Sequence, residues 1–479
     1  MMAGHAPGMH EVLERESKWD VDDRFRLPDL HGIVPGADVE HDTVDLTSDY
    51  YDTADRDLQA HGVVLRRRAG DDDTGWQLKV PAADGRVELH WPPADGLPDA
   101  ARELLTGLSL AKQLSSVATI HTVRNRYRIC APGVGELCAE IADDSVRAWA
   151  NERLLAWREV EVELGPSTAT VPRRLVKRLT AAGARPSHYP SKLAHILPLI
   201  PPAEPMSPAA RAVQRYVSTQ IDQIVAGDIE LRRDHDPIHD TRVAIRRLRS
   251  TLRVFGKLLD QRAAPHLDDD LRWFAGLLGE VRDCQVQQRR MTAALDQLPD
   301  TLILGPVRAR VRNDLQATEL PARVRITEAM ESPRYLAIMA ALRTWRTAPP
   351  VAPETSTHKL VKRAQKVQRQ ADRRLTAALG DRGGDDAMLH RARKAAKRAR
   401  YAAELCKDVG ASKRTVKHYK QFQSILGDHQ DTVVASALLH RMALASGTTA
   451  GENGFTFGLL FAREQRIAED CRQQARNLL

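Results

Sequence analysis

HDTRVAIRRLRSTLRVF (residues 239–255) sets His239, Arg242, Arg246, Arg249 and Arg253 at offsets of 0, 3, 7, 10 and 14, which is one face of a helix. Ile245, Leu248, Leu252, Phe255 and Leu259 keep the same spacing on another face, the expected core. A second stretch, HRARKAAKRARYAAEL (390–405), repeats the basic pattern with His390, Arg393, Lys397 and Arg400. Lys394 and Arg398 widen that stripe, as Arg247 widens the first. Like charges at i,i+4 repel, so a solvated helix normally mixes signs. Past Asp240, which directly follows His239, neither stripe meets an acidic residue before Asp260 in one and Glu404 in the other. Two such helices stand most easily beside a polyanion. Guanidinium groups grip phosphate oxygens in pairs at any pH, and histidines add charge at mildly acidic pH.

Each basic stretch is followed by a Leu-Gly-acidic-x-x-Asp segment, FAGLLGEVRD (274–283) in one copy and FQSILGDHQD (422–431) in the other. Two units in the same order predict a helical bundle with an internal repeat, about 206–345 and 357–479. The Pro-rich stretch TAPPVAPETS (347–356) divides them, and GDRGGDD (380–386) breaks a helix. Nucleic acid is the competing polyanion. Aromatic residues make up only 5% of the chain, and Tyr401 alone lies among the basic residues to stack on bases, so nucleic acid is not the expected partner.

Before residue 200 the apolar period changes to two. LERESK, VVLRRR, WQLKV, RVELHW, VRNRYRI and REVEVEL read as short strands between Gly, Pro and Asp turns. ILPLIPPAEPMSPAA (196–210) reads as a linker, which predicts domains at 1–200 and 205–479. Charge divides at the same place. Residues 1–204 carry 24 basic and 32 acidic side chains, whereas residues 205–479 carry 47 and 31. No apolar run approaches the ~18–20 residues of a membrane span, and the first residues lack the features of a signal peptide. Five scattered cysteines, none spaced C-x-x-C, argue against a disulfide framework or zinc site and for the cytoplasm.

Within the strands, charge alternates with apolar residues. Glu14, Glu16 and Lys18 share a face, as do Arg66 and Arg68, Arg86 and Glu88, and Arg124, Arg126 and Arg128. Glu159, Glu161 and Glu163 alternate with Val160, Val162 and Leu164. Rows of like charge cost free energy unless neutralised. Five such strands, some acidic and some basic, fit a closed barrel with a charged interior. There carboxylates would hold Mg²⁺ or Mn²⁺, basic groups would hold phosphate oxygens, and water would attack a phosphoanhydride.

Two family resemblances follow from these motifs. The paired His-x-x-Arg-x-x-x-Arg/Lys helices with their Leu-Gly segments resemble the CHAD domain, the conserved histidine α-helical domain. That resemblance implies a basic cavity for inorganic polyphosphate, formed by His239, Arg242, Arg246, Arg249, Arg253, His390, Arg393, Lys394, Lys397 and Arg400. Glu14-x-Glu16-x-Lys18, YYDTADRDLQAHGVVLRRR (50–68), WQLKVP (76–81), GRVELHWP (85–92), VRNRYRI (123–129), REVEVEL (158–164) and PSKLAHIL (190–197) follow the order of CYTH domains, the triphosphate tunnel metalloenzymes.

The second resemblance implies an α+β chain, an eight-stranded antiparallel β tunnel followed by an all-α bundle, and a metal-dependent triphosphatase acting on inorganic triphosphate or polyphosphate. By position, Glu159, Glu161, Glu163 and Glu88 would be metal ligands. Arg66, Arg68, Lys79, Arg86, Arg126, Arg128 and Lys192 would line the phosphate path, and Lys18, Glu14 and Glu16 would be the catalytic groups. Either Glu140 or Asp143 would take a further inward position, and the loop 29–43 carries no readable motif. The family also includes adenylate cyclases and thiamine triphosphatases. A non-catalytic adaptor for polyphosphate granules is the alternative of another class.

Overall fold

The computed structural model of the chain describes residues 9–198 and 206–479, apart from 71–73, 83–84, 134, 167, 169, 261, 263, 349, 382–384, 411 and 450. The centre of the expected linker, 199–205, and part of the 380–386 break therefore lie outside the described residues. The chain forms two compact units, Met1–Ala203 with Asp228–Asp234, and Glu204–Gly227 with His235–Leu479.

The first unit is one antiparallel sheet of β1 (His10–Glu14), β2 (Glu16–Val21), β3 (Asp38–Asp52), β4 (Val64–Ala69), β5 (Gly75–Ala82), β6 (Gly85–Trp91), β7 (Ser115–Cys130), β8 (Leu137–Ala150), β9 (Arg153–Leu164) and β10 (Arg185–Pro186). Their order is β1-β6-β5-β4-β3-β7-β8-β9-β2-β10. The expected eight strands are thus ten. The first segment is divided because it changes partner at Arg15: β1 pairs with β6, and β2 pairs with β9. The two-residue β10 adds a strand beyond β2. The stretch 29–43 is only partly a loop, since β3 begins at Asp38 and Leu30 and Ile33 are buried.

Strand β9 shows why the alternating residues fold this way. Val160 and Val162 point into an apolar core with Trp19, Ile141 and the helix α3 (Arg173–Ala181, third after α1 Asp57–Ala60 and α2 Asp99–Ser109), which contributes Leu175 and Leu179. Glu159, Glu161 and Glu163 consequently face the other side of the sheet. A short helix, α4 (Lys192–Ile196), is capped by the Ser191 hydroxyl, which accepts from the Ala194 amide. Its Leu193 and Ile196 enter a core with Ile120, Val146 and Ala148, which fixes where Lys192 projects.

The second unit is helical. After α5 (Pro208–Arg232), which crosses the unit boundary, come α6 (Ile238–Phe255), α7 (Leu267–Leu295), α8 (Val307–Met330), α9 (Pro333–Thr347), α10 (Thr357–Gly380), α11 (Asp386–Leu405), α12 (Lys413–Ser446) and α13 (Phe455–Arg476). The expected apolar face of α6 is core: Ile245, Leu248, Leu252 and Phe255 are buried, as is Leu259 just beyond the helix. Leu175 is fully buried beneath the sheet. Replacing Leu175 by Ala should therefore cost about 2–5 kcal/mol of stability, read as a lower urea midpoint of the transition followed by tryptophan fluorescence.

Candidate functional site

Strand register decides the electrostatics of the first unit. Glu140 of β8 lies opposite Glu163 of β9, and Glu163 lies opposite Glu16 of β2. Three carboxylates thus form one cross-strand row, an arrangement that destabilises a sheet unless a cation joins it. The next inward row runs Ala142, Glu161, Lys18. The one after pairs Asp144 with Glu159.

These rows border a cavity of about 220 Å³. Of the residues expected to build a site, Glu14, Glu16, Lys18, Arg66, Arg68, Lys79, Arg86, Glu88, Arg126, Glu161, Glu163 and Lys192 line it. Arg128 does not line it, and pairs with Glu40 and Asp42 on a more exposed part of the sheet. Glu159 lies behind the lining, buried, with the Trp157 indole donating to it over 2.6 Å. Glu140 faces the cavity, whereas Asp143 points away and pairs with Arg158 at 2.6 Å.

Two groups were missed. Arg124 lines the cavity and donates to Asp144 at 2.8 Å and to Glu161 at 2.7 Å. Asp144 is fully buried. Both were legible: Arg124 shares the face of Arg126 and Asp144 that of Glu140. The expectation weighed Glu140 against Asp143, whereas Glu140 and Asp144, four residues apart on one strand, share the inward face.

Asp144, Glu159 and Glu161 bring one oxygen each within 4.8 Å of one another, a spacing that could hold a metal. The Lys192 ammonium stands among them, 2.8, 2.9 and 2.7 Å from the three carboxylates. Burial would raise the Glu161 carboxyl, but Lys18, Lys192 and Arg124 outweigh it and hold it well below the usual range. Burial would likewise lower Lys18, yet Glu161 and Glu16 hold its ammonium above the ordinary lysine value. Lys79 is clamped by both Glu14 oxygens at 2.7 Å. Arg66 reaches Gln77 at 2.6 Å and Glu88 at 3.3 Å.

Against this matched background two groups stand alone. Glu163 makes no hydrogen bond or ion pair among the described residues, and burial, with Glu14, Glu140 and Glu88 nearby, pushes its carboxyl up to about 7 despite Lys79. Arg68 lies in register with Ser48 and Gly75, neither of which offers a carboxylate, and its Nε has no partner. Burial, then Arg66 and Arg124, lower its guanidinium to about 10. The cavity therefore holds one carboxylate and one guanidinium that no side chain among the described residues pairs.

The second unit encloses a larger cavity, about 650 Å³, between α6 and α11. His239, Arg242, Arg246, Arg249, Arg253, His390, Arg393, Lys394 and Lys397 line it, with Arg282 and Arg398. Arg400 does not; it is held by Glu404 at 2.7 Å and Gln423 at 3.1 Å. The stripe on α6 is less bare than its own sequence suggests. Asp268 of α7 neutralises Arg249 at 2.9 Å and Arg253 at 2.7 Å, and Glu404 takes Arg247 at 3.2 Å.

Arg246, Arg393 and Lys397 form no hydrogen bond or ion pair among the described residues. Burial, then Arg393 and Arg246, lower the Lys397 ammonium to about 7, and Asp431 only partly opposes this. The Leu-Gly segments explain how guanidinium groups fit here. A Cβ on Gly279 would lie 3.0 Å from an Arg242 nitrogen, and one on Gly427 would lie 3.5 Å from an Arg393 nitrogen. Each glycine thus seats the arginine of its own repeat.

Comparison with known proteins assigns both units. The CYTH domain family matches residues 14–183, and the CHAD domain family matches residues 215–440. The chain is a CYTH–CHAD fusion protein. Two uncharacterized proteins from two strains of Mycobacterium tuberculosis are 34% identical to it over 503 residues, covering 99% of this chain and 97% of theirs. Among solved structures, PptA from Streptomyces chartreusis aligns at 22% identity over 57% of this chain and 99% of that one, with a TM-score of 0.49. The CHAD domain from the plant Ricinus communis aligns at 27% identity over 60% and 97%, with a TM-score of 0.45. A putative adenylyl cyclase from Hippeastrum, described as having a dominant triphosphatase activity, aligns at 20% identity over 40% and 98%, with a TM-score of 0.23. Among the described residues no helix of the CYTH–CHAD protein is long and apolar enough to cross a membrane.

The isolated Glu163 carboxyl has a stability consequence. Its folded value, about 7, exceeds its unfolded one, so the penalty of ionising it grows as pH rises from 4.5 to 7 and is fully present above. Glu163→Gln should raise the metal-free protein's stability at pH 8 by roughly 1–3 kcal/mol and leave it unchanged below pH 4.5, measured by denaturation in chelator.

Proposed function

We propose that the CYTH unit is a divalent-metal-dependent triphosphatase hydrolysing the terminal phosphoanhydride of inorganic triphosphate or a related chain, and that the CHAD unit binds inorganic polyphosphate. One observation carries the first half: the same cavity holds an unpartnered carboxylate, Glu163, and an unpartnered guanidinium, Arg68. A cation alone would answer Glu163 and worsen the excess at Arg68, and an anion alone would do the reverse. A phosphate chain carrying a divalent cation answers both.

The donor set fits Mg²⁺ or Mn²⁺, since it consists only of carboxylate oxygens. Glu163 would hold the ion, with Glu16 and Glu140 as its registered neighbours, and Glu161 and Glu159 lie next along the same strand. Glu88 also faces this cavity. Such an ion, when bound, neutralises charge on the phosphate oxygens. The chain's own groups do the rest. Arg66, Arg68, Arg86, Arg126 and Lys79 would fix successive phosphates and keep them in line for attack. Lys18 stays an ammonium between Glu16 and Glu161, so it orients the attacking water or a phosphate oxygen and does not remove a proton.

The test is phosphate release from triphosphate, thiamine triphosphate, ATP and long-chain polyphosphate with each metal. Glu161→Gln leaves Lys18, Lys192 and Arg124 with one fewer carboxylate, and should lower turnover by at least a hundredfold while long-chain polyphosphate still binds. Release of no phosphate from any of the four substrates would leave a polyphosphate-binding adaptor, whose place would be with polyphosphate granules.

Three unpaired cations in one cavity, Arg246, Arg393 and Lys397, support polyphosphate binding by the CHAD unit. Because Lys397 is depressed to about 7, it is mostly neutral at pH 8 in the free protein, and a polyanion restores its charge. Polyphosphate binding at pH 8 should therefore take up close to one proton through Lys397; at pH 6 that share should fall toward zero, and the uptake left comes from His239 and His390, whose imidazoles burial and neighbouring basic groups hold low. Calorimetry in buffers of different ionisation enthalpy checks this, and Lys397→Met should remove most of the uptake at pH 8 and leave the uptake at pH 6.

A further inference from the structure

The polyphosphate cavity has approximate twofold lining. Asp283 and Val286 of α7 correspond to Asp431 and Val434 of α12, and all four face it. The correspondence is incomplete, and two of the differences change the charge of α7. Where α7 has Arg282, α12 has Gln430, and where α7 has Arg289, α12 has Ala437.

Those two arginines belong to a second, more open groove of about 710 Å³ beside α7. It adjoins the cavity, since His239 and Arg282 line both. Arg282 and Arg289 are seven residues apart on one helix face, roughly 10 Å along the axis. The groove's carboxylates already have partners: Glu319 takes Arg323 at 2.7 Å, Asp296 takes Arg308 at 2.7 Å, and Asp236 takes Gln285 at 2.7 Å. Arg289 donates its Nε to the Gln285 carbonyl at 3.3 Å, and neither Arg282 nor Arg289 makes an ion pair among the described residues. Burial, then the charge of Arg289, lower the Arg282 guanidinium, and Arg246 in the cavity acts on it in the same direction. The free cations therefore continue out of the cavity on one side.

We propose that a polyphosphate chain too long for the cavity leaves it past His239 and Arg282 and lies along α7 against Arg289, making this groove a one-sided, chain-length-selective subsite. The inference rests on the reading of the cavity as a polyphosphate site. Phosphate is favoured over nucleic acid because no Phe, Tyr or Trp side chain lines the groove to stack on bases.

The experiment measures affinity and its salt dependence for a short oligophosphate and a long-chain polyphosphate, with full-length wild type, Arg289→Ala and Arg246→Glu. Arg289 is exposed, so its substitution leaves the fold intact. Arg289→Ala should weaken long-chain binding about three- to tenfold, reduce the salt slope by about one, and leave the short ligand unaffected. Arg246→Glu should weaken both ligands. If Arg246→Glu weakens both and Arg289→Ala changes neither, the exit path is wrong and the cavity reading survives. If Arg246→Glu changes neither, the cavity reading itself fails. Loss of duplex DNA binding in Arg289→Ala, with long-chain polyphosphate unchanged at matched salt, would assign the groove to nucleic acid and overturn the proposal.

Discussion

Strand register is the constraint on which the first unit depends, because it decides which charges meet. Side chains directly across a sheet stand close, so a carboxylate facing a carboxylate must be answered from elsewhere. In most of the sheet the answer comes from the protein. Glu161 faces Ala142 on one side and Lys18 on the other. The small side chain of Ala142 leaves room for Arg124, one row along, to reach Glu161. Lys192 arrives from α4 to meet Asp144, Glu159 and Glu161 together. A buried ion network of this kind is a weak source of net stability but a strong selector of geometry, since removing one member strands the others. Among the described residues that line the cavity, Glu163 and Arg68 are the charged groups left without a pairing side chain.

The second unit meets a related problem by close approach. Guanidinium groups are bulky, and two helices carrying them can face one cavity only if the packing partners give way. Gly279 and Gly427 supply that space, one in each repeat. Besides Asp283 and Asp431, which face the cavity, the acidic residues that pair with the stripes sit toward their ends. Asp268 holds Arg249 and Arg253, and Glu404 holds Arg247 and Arg400. The middle of the cavity, at Arg246, Arg393 and Lys397, is left uncompensated.

Much of this was legible in the sequence because its periods are strong. The alternation of Glu159, Glu161 and Glu163 with valines specified both the strand and its two faces, and the repeated histidine-led stripes specified paired helices. What the sequence could not convey was partnership across distance. Nothing in REVEVEL distinguishes Glu161, gripped by three cations, from Glu163, gripped by none, because the difference arises from register with β2 and β8. Asp268 is far enough along the chain from Arg249 that only packing of α6 on α7 reveals the pair. Arg128 repeats the spacing of Arg124 and Arg126 yet sits beyond the cavity, since a long strand extends past the site it builds. Splitting of the first strand at Arg15 likewise depends on two partners, β6 and β9, that are remote in sequence.

The two cavities differ in one physical respect that separates their proposed roles. Both concentrate basic groups, but six carboxylates line the cavity of the sheet, against two, Asp283 and Asp431, in the helical one. Carboxylates beside a phosphate site weaken simple anion binding, because they repel the ligand. They are tolerable where a divalent cation stands between the two sets, and that cation is what hydrolysis of a phosphoanhydride requires. The helical cavity, whose central cations Arg246, Arg393 and Lys397 form no ion pair among the described residues, keeps an excess of positive charge that attracts a long anion. On this argument the balance of signs, more than the number of positive charges, is what supports the proposal of turnover in the sheet and retention of the chain by the helices.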